Sequence, residues 1–322
     1  MAVCTCNGID YVSEQLASII AQSILPQEIV VCDDRSDDAC FDIVKVWAEE
    51  VAKPKGISVR LIQNKERLGV TKNFEQACSM LSTDIIFLCD QDDAWPAGKI
   101  ERLLVEFCDP AVMLVHSDAR LVGQHLEDLK VTLFQVLRFS KRECALIRDQ
   151  RFVEIYCRRN LVTGAASAFR RSLLEVAQPF PNEWVHDEWL AAIAASCGRV
   201  VMMPECTLLY RQHGSNAIGI PKNTREYIAH AWRRIRETSR SEFLKRRIRR
   251  LELWMDRIES LDGEHEEEKN HIKGALTHFR NRSQMTGNPI SRLSIIWGEW
   301  RSGRYGNYSG GRRGVLLDLL YL

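Results

Sequence analysis

The stretch Leu88-Cys89-Asp90-Gln91-Asp92-Asp93-Ala94-Trp95 sets three carboxylates within four positions. Carboxylates that close repel one another unless a cation sits among them. A hard divalent ion with oxygen ligands, Mg²⁺ or Mn²⁺, bridging to a phosphate, is the natural occupant. A polar loop whose last Asp caps the next helix would carry the same letters. The elements that position the stretch therefore decide between the two.

The run Asp84-Ile85-Ile86-Phe87-Leu88 leads into the carboxylates. It is apolar, rich in Ile and Phe and too short for a helix, so it reads as a buried strand. Upstream, Ala2-Val3-Cys4-Thr5-Cys6 reads as a first strand and Glu28-Ile29-Val30-Val31-Cys32 as a second, followed by Asp33-Asp34-Arg35-Ser36-Asp37-Asp38. Ile57-Ser58-Val59-Arg60-Leu61-Ile62 reads as a third. Between them, residues 9–22, 43–51 and 68–81 carry apolar residues at helical spacing. Strands alternating with helices predict an α/β fold with a doubly wound, mostly parallel sheet. In such sheets ligands bind at the carboxyl ends of the strands, where the acidic residues fall. Neither the G-x-G-x-x-G fingerprint nor a Walker A pattern is present, so phosphate is expected to be met through a metal.

Past the central stretch, Ala111-Val112-Met113-Leu114-Val115-His116 reads as a strand, and the pattern blurs over residues 121–159. Small residues return over 160–169, Val185-His186-Asp187-Glu188-Trp189-Leu190 opens a helix, 199–203 reads as a strand, and 208–213 leads into Gly214-Ser215-Asn216. After Pro221 the composition changes. Residues 224–261 are basic and helical in pattern, with Trp232 and Trp254 among the cations, and 315–322 are strongly apolar. The expected division is 1–220 for a catalytic domain and 221–322 for a helical, basic extension.

The chain has 322 residues, a net charge of +1 and 45% hydrophobic content, ordinary values for a soluble globular protein. Whole-molecule charge therefore points to no partner. No apolar run approaches the ~20 residues of a membrane span, and Met1 leads straight into strand-like sequence, so neither a spanning helix nor a signal peptide is expected. Eleven cysteines occur without a C-x-x-C pair, all at or before Cys206. They read as small hydrophobes in a reducing compartment, with no zinc site expected.

Taken together and in order, Thr5-Cys6-Asn7-Gly8, Asp33-Asp34-Arg35-Ser36, Leu68-Gly69-Val70-Thr71-Lys72-Asn73-Phe74 and Asp90-Gln91-Asp92-Asp93-Ala94-Trp95 resemble the signature of family 2 glycosyltransferases, inverting enzymes with the GT-A fold. The likeness continues through residues 164–171. At His186-Asp187-Glu188-Trp189 and Tyr210-Arg211-Gln212-His213-Gly214-Ser215-Asn216 it is similar to bacterial rhamnosyltransferase-like members. A Tyr-Gly-rich tail, like that at Tyr305, also occurs in that subgroup.

The resemblance implies a nucleotide-sugar donor and a Mn²⁺ or Mg²⁺ cofactor. Thr5, Asn7, Asp34 and Lys72 fall on the nucleotide side, with Asp34 at the base. Asp90 and Asp92 hold the metal and the donor diphosphate, Asp93 supports them, and His213 is a further metal ligand. Asp187 maps to the catalytic base. That role needs an ionised carboxylate within reach of the acceptor hydroxyl, and a helix N-terminus favours ionisation. Bland readings stand beside these: a turn-forming Asp pair, a solvated helix Lys, an acid complementing the helix dipole and an ordinary loop His. One departure is Cys6, which stands where the family usually has an aromatic residue able to stack on the base.

The expected activity is transfer from dTDP-rhamnose or UDP-hexose to a hydroxyl of a glycan or lipid-linked acceptor, in surface polysaccharide synthesis such as that of O-antigen. The expected place is the cytoplasm, with the basic region held peripherally at an anionic membrane surface. A solvated helical appendage is the alternative for that region, and no nucleic-acid motif accompanies it. Two rival functions are a sugar nucleotidyltransferase, whose Gly-rich phosphate loop is absent, and a non-catalytic nucleotide-sugar-binding assembly subunit, which would have no need of Asp187.

Overall fold

The computed structural model describes residues 1–214, 239–261, 263, 265–285 and 288–320. Ser215, Asn216, Trp232, the first part of the basic stretch and the last two residues of the apolar tail lie outside the described residues. The chain divides into two compact units, Met1–Ser140 with Leu161–Ile220, and Lys141–Asn160 with Pro221–Leu322. The expected division at residue 220 is thus crossed once, by the segment 141–160, which sorts with the C-terminal helices.

The first unit is built on β1 (Ala2–Thr5), β2 (Glu28–Asp33), β3 (Ser58–Gln63), β4 (Ile85–Asp90), β5 (Val112–Val122), β6 (Asp128–Thr132), β7 (Ser167–Arg170) and β8 (Arg199–Arg211). They form one sheet in the order β3-β2-β1-β4-β7-β5-β6, with β8 on β5. β1 to β4 are parallel, with Thr5 opposite Asp33 and Cys4 opposite Asp90. Helices α1 (Val12–Ile20), α2 (Cys40–Trp47) and α3 (Val70–Ser79) make the crossovers, and α4 (Lys99–Glu106) follows β4. Strands covered on both faces are near-continuous apolar runs, as β2 and β4 are. β3, at the edge, alternates in exposure and carries Arg60 and Gln63.

Direction around the sheet places the site. β7 is antiparallel to β4 and to β5, so β5 and β8 again run with β1–β4. The carboxyl ends of β1, β2, β4 and β8 therefore share one edge. An isolated bridge between Ala94 and Leu209 ties the loop after β4 to β8. Beneath that edge lies a core including Val3, Leu16, Ile19, Ile29, Val31, Phe87, Trp95 and Leu208, all buried. Each such aliphatic side chain contributes roughly 1.5–3 kcal/mol.

In the second unit, the helices Arg240–Glu259 and Glu266–Ser283 pack on each other. Trp254 corrects an expectation: it is 0% exposed and cannot dip into a headgroup layer. It lies with Leu244, Leu251, Met255 and Ile258 on the inward stripe of its helix, at spacings of three, four and seven that define one face. The cations are partly structural as well. Arg247 donates to the Cys157 and Arg158 carbonyls, and Arg240 to Asp318.

Two buried carboxylates organise the remaining helices. Asp318 accepts from Arg282 at 2.7 and 2.9 Å and from Tyr305 Oη at 2.5 Å. Glu299 accepts from Arg304 at 2.8 and 2.6 Å, from Asn281 at 2.7 Å, and from His278 Nδ1 at 2.6 Å. Such bidentate, charge-assisted bonds offset the cost of burying the charge. The other nitrogen of His278, Nε2, lies 2.7 Å from Ser309 Oγ.

Burial lowers His278 to about 4, with the Glu299 carboxylate opposing. In the unfolded chain the same imidazole titrates near 6.5, so below that pH the unfolded state binds a proton that the folded state refuses. Stability is complete above 6.5 and is lost as pH falls toward 4. Native-state hydrogen exchange, corrected for intrinsic rates, is expected to show the opening free energy of Glu266–Ser283 falling by up to about 2 kcal/mol between pH 6.5 and 5. A pH-independent opening free energy would contradict this.

Candidate active site

The edge formed by β1, β2, β4 and β8 collects most of the residues singled out by sequence. Asp90 ends β4 and its carboxylate accepts no hydrogen bond among the described residues. Burial, then the Asp92 and Asp187 carboxylates, push it up to about 8 against the Lys99 ammonium. Asp93 is fully buried. Its Oδ1 accepts the Arg211 N–H at 3.0 Å, and its Oδ2 has no partner among the described residues. Burial and the neighbouring Asp92 and Asp90 charges raise it as well. Asp92 Oδ2 lies 3.0 Å from His213 Nε2, so the structure brings together the loop after β4 and the second residue past β8.

Gln91, between the acids, sets the loop. Its Oε1 accepts the Cys6 N–H at 2.7 Å and its Nε2 donates to the Cys6 carbonyl at 2.9 Å. This amide clasp needs Gly8, because a Cβ there would stand 2.2 Å from Gln91 Oε1.

Asp187 reaches the same region from the first turn of the helix His186–Cys197. Gly164 N–H donates to its Oδ2 at 2.9 Å, and Glu188 N–H to its Oδ1 at 2.7 Å. Gly164 permits the approach: a Cβ would lie 2.9 Å from His186 Nε2 and 3.4 Å from Asp187 Cβ. His186 stacks on Phe74 with centroids 4.0 Å apart, both ring nitrogens without partners among the described residues, and burial lowers it to about 3. It is a neutral plate that fixes the start of the helix, not a proton carrier at neutral pH.

The nucleotide-side residues are held by the protein itself. Thr5 Oγ1 donates to Asp33 at 2.8 Å. Asn7 N–H donates to Ser36 Oγ at 2.8 Å, and its Oδ1 accepts from Asp37 N–H at 2.8 Å. Asp34 is buried, with Oδ1 bonded by Leu68 N–H at 2.7 Å and Asn64 at 3.1 Å, and Oδ2 by Gly69 N–H at 2.9 Å. It braces the loop that opens α3. Lys72 Nζ donates to Glu75 at 2.7 Å and to the Phe180 carbonyl at 2.5 Å, so its charge is directed at those partners.

Sequence reasoning passed over two cations. Lys99 is fully buried, its ammonium 3.9 Å from the centroid of the Trp95 ring and bonded to the Ala165 carbonyl. Burial lowers it to about 7, with Cys89, Asp93 and Asp90 opposing. Arg211 is buried and donates to the Asp92 carbonyl at 2.6 Å, the Gln124 carbonyl at 2.5 Å and Glu14 at 2.6 Å. The Tyr11 ring lies 4.9 Å from its guanidinium and 4.5 Å from the His213 ring. Asp10, Tyr11, Glu14, Gln124, His125 and Arg211 line a cleft of about 340 Å³.

The donor set suits a hard divalent cation. It offers carboxylate oxygens and one imidazole, and two of its carboxyls are forced up by burial and then by neighbouring carboxylates, with one buried oxygen unpartnered among the described residues. Among the described residues, no three His, Cys, Asp or Glu side chains form a ready-made cage.

A family model, Glycosyl transferase family 2, matches residues 1–176. The uncharacterized glycosyltransferase YwdF of Bacillus subtilis (strain 168) is 28% identical over 214 residues, covering 65% of this chain and 72% of that protein. Among solved structures, S. aureus TarS 1-349 in complex with UDP-GlcNAc superposes with a TM-score of 0.55 at 17% identity, over 92% of this chain and 76% of that one. The mannosyltransferase PcManGT from Pyrobaculum calidifontis, in complex with GDP-Man and Mn²⁺, superposes with a TM-score of 0.54 at 20% identity, over 98% and 76%. At these identities the two structures speak for the fold, a GT-A-like α/β arrangement with a mainly parallel sheet. The family model spans more than half of the chain, and the chain therefore belongs to glycosyl transferase family 2.

Proposed function

We propose that this glycosyltransferase is an inverting, metal-dependent enzyme. It takes a sugar from a nucleotide-diphosphate donor, dTDP-rhamnose or a UDP-hexose, and places it on a hydroxyl of a glycan or lipid-linked acceptor of surface polysaccharide, from the cytoplasmic side. Residues 1–220 carry the donor site and the base, and 221–322 are the extension. The carrying observation is that Asp187, fixed by Gly164 N–H, stands close enough to Asp90 for its charge to raise that carboxyl. A base and a diphosphate site must be neighbours, because proton removal and leaving-group departure occur across one sugar carbon. The complexes of TarS with UDP-GlcNAc and of PcManGT with GDP-Man and Mn²⁺ support the donor class. The His186-Asp187-Glu188-Trp189 motif supports the rhamnosyltransferase-like reading.

Each residue has a part. Asp90 and Asp92 would hold a divalent ion, His213 would complete or orient that set, and Asp93 would support it. Bound there, such an ion would shield the charge developing on the departing diphosphate. Asp34, Thr5 and Asn7 shape the nucleotide edge by bracing the loops after β1 and β2 and before α3. Lys72, in the first turn of α3, would have to leave Glu75 and the Phe180 carbonyl to meet the nucleotide. Asp187 Oδ2 or Oδ1 takes the acceptor proton as the hydroxyl oxygen attacks C1 from the face opposite the diphosphate. No covalent intermediate on the chain is required.

Screening UDP-hexoses, GDP-mannose and dTDP-rhamnose for nucleoside diphosphate release, with Mn²⁺ and with chelator, tests the reading. Release from one of them, dependent on the ion, is expected. If every donor bound but none turned over, a non-catalytic binding subunit would be the better description.

A further inference from the structure

The helix Pro289–Arg301 is capped by Asn288, whose Oδ1 accepts the Ile290 N–H at 3.0 Å, with Pro289 in its first turn. Its inward side buries Ile296 with Met285 and Tyr305. Its outward side shows Ile290, Leu293, Trp297 and Trp300, at 80, 52, 63 and 44% exposure. Spacings of three, four and three put these four on one narrow arc of the helix. The helix Arg312–Leu319 packs against it, and exposes Leu316 and Leu319, with Leu320 just past its end, at 55, 41 and 59%. Single exposed apolar residues are ordinary on a soluble protein, but a cluster on two adjacent helices marks an interaction surface.

Charge identifies the occupant. Between residues 288 and 320 the only acids are Glu299 and Asp318, both buried and both held by arginines. Arg301, Arg312 and Arg313 are exposed, and among the described residues none pairs with a carboxylate. The exposed charge of this segment is therefore wholly positive. A second copy docking through the same patch would set those cations of the segment against themselves, and the segment has no exposed acid to offset them. An anionic bilayer meets both features. Indole rings favour the headgroup level, Leu and Ile enter the acyl boundary, and guanidinium groups pair with anionic headgroups. Among the described residues no helix is long and apolar enough to cross a membrane, so the contact is one of lying on the surface.

We propose that the helices Pro289–Arg301 and Arg312–Leu319 seat the protein on an anionic lipid surface. This deepens the peripheral-membrane part of the reading above and moves it from the helix bearing Trp254 to the helix bearing Trp297. It is tested by binding and not by turnover, so the two fail separately.

The full chain is co-sedimented with vesicles of phosphatidylcholine alone and of phosphatidylcholine with phosphatidylglycerol, across a salt series. Two double variants, Trp297→Glu with Trp300→Glu, and Arg312→Glu with Arg313→Glu, are compared after their thermal unfolding is shown to match the native chain. Native protein is expected to pellet with the anionic vesicles and to release as salt rises. Each variant is expected to bind at least about tenfold more weakly. Brominated acyl chains are expected to quench the native tryptophan emission and to leave the tryptophan variant unquenched. Native protein that ignores anionic vesicles, or variants that bind them as well as native does, overturns the proposal. A native dimer in light scattering that Trp297→Glu dissociates, without vesicle binding, also overturns it and assigns the face to a second copy.

Discussion

Asp187→Asn is expected to lower kcat by about 10²–10⁴ while leaving nucleotide affinity nearly unchanged. The carboxylate is placed by Gly164 N–H at 2.9 Å and Glu188 N–H at 2.7 Å, donors that belong to backbone and survive the substitution. Asn keeps the volume and one acceptor oxygen, so it can keep one of these two backbone bonds, but an amide cannot take a proton from a hydroxyl. Gly164→Ala should act in the same direction through position alone, since its Cβ would crowd His186 Nε2 at 2.9 Å. Steady-state kinetics and calorimetric titration with the nucleoside diphosphate separate the effects. Donor affinity collapsing in step with turnover would show that Asp187 holds the donor and is not the base.

The second large effect belongs to the acidic cluster. Asp92→Asn should lose turnover by about 10²-fold or more and also weaken nucleotide binding, because one ion would join the protein to the diphosphate. Chelation should abolish activity, and Mn²⁺ or Mg²⁺ should restore it. Burial first, and then the neighbouring carboxylates, raise Asp90 to about 8 and also lift Asp93, and the buried Lys99 ammonium opposes this only in part, so a bound cation would be favoured there. Full activity in chelator would remove the metal from the account.

The contrast between these two variants, one sparing donor affinity and one not, follows from what could be read in the chain. The strand ends were legible because β1, β2 and β4 are short apolar runs that stop at polar or acidic residues, and parallel register puts those ends on one edge. In the sequence β8 shows as two pieces, because Pro204 interrupts its pattern. In the sheet the ladder with β5 shifts register between Ser117 and Asp118 at that point, and a bulge accommodates a residue without an N–H.

Residues 121–159 blurred because β6 and three short helices, Leu133–Leu137, Lys141–Arg148 and Phe152–Tyr156, split between the two units. None is long enough to show a period. Lys99 and Arg211 escaped notice because their partners, Ala165 and Glu14, lie 66 and 197 residues away. Local pattern carries no trace of such neutralisation. Trp254 was misplaced for a related reason: Arg and Lys on a helix mask an inward stripe unless the apolar positions are counted by face.

The anomeric configuration of the product is the most direct test of the central claim, that Asp187 drives a single displacement beside the Asp90–Asp92 cluster. Proton NMR in the first minutes of turnover, on the donor selected by the screen and with water as the acceptor, reads the configuration at C1 of the freed sugar before mutarotation obscures it. The account predicts a configuration opposite to that of the donor, and no product from Asp187→Asn on the same timescale. A product that keeps the donor configuration would require a second displacement or attack from the leaving-group face, and would contradict the role given to Asp187.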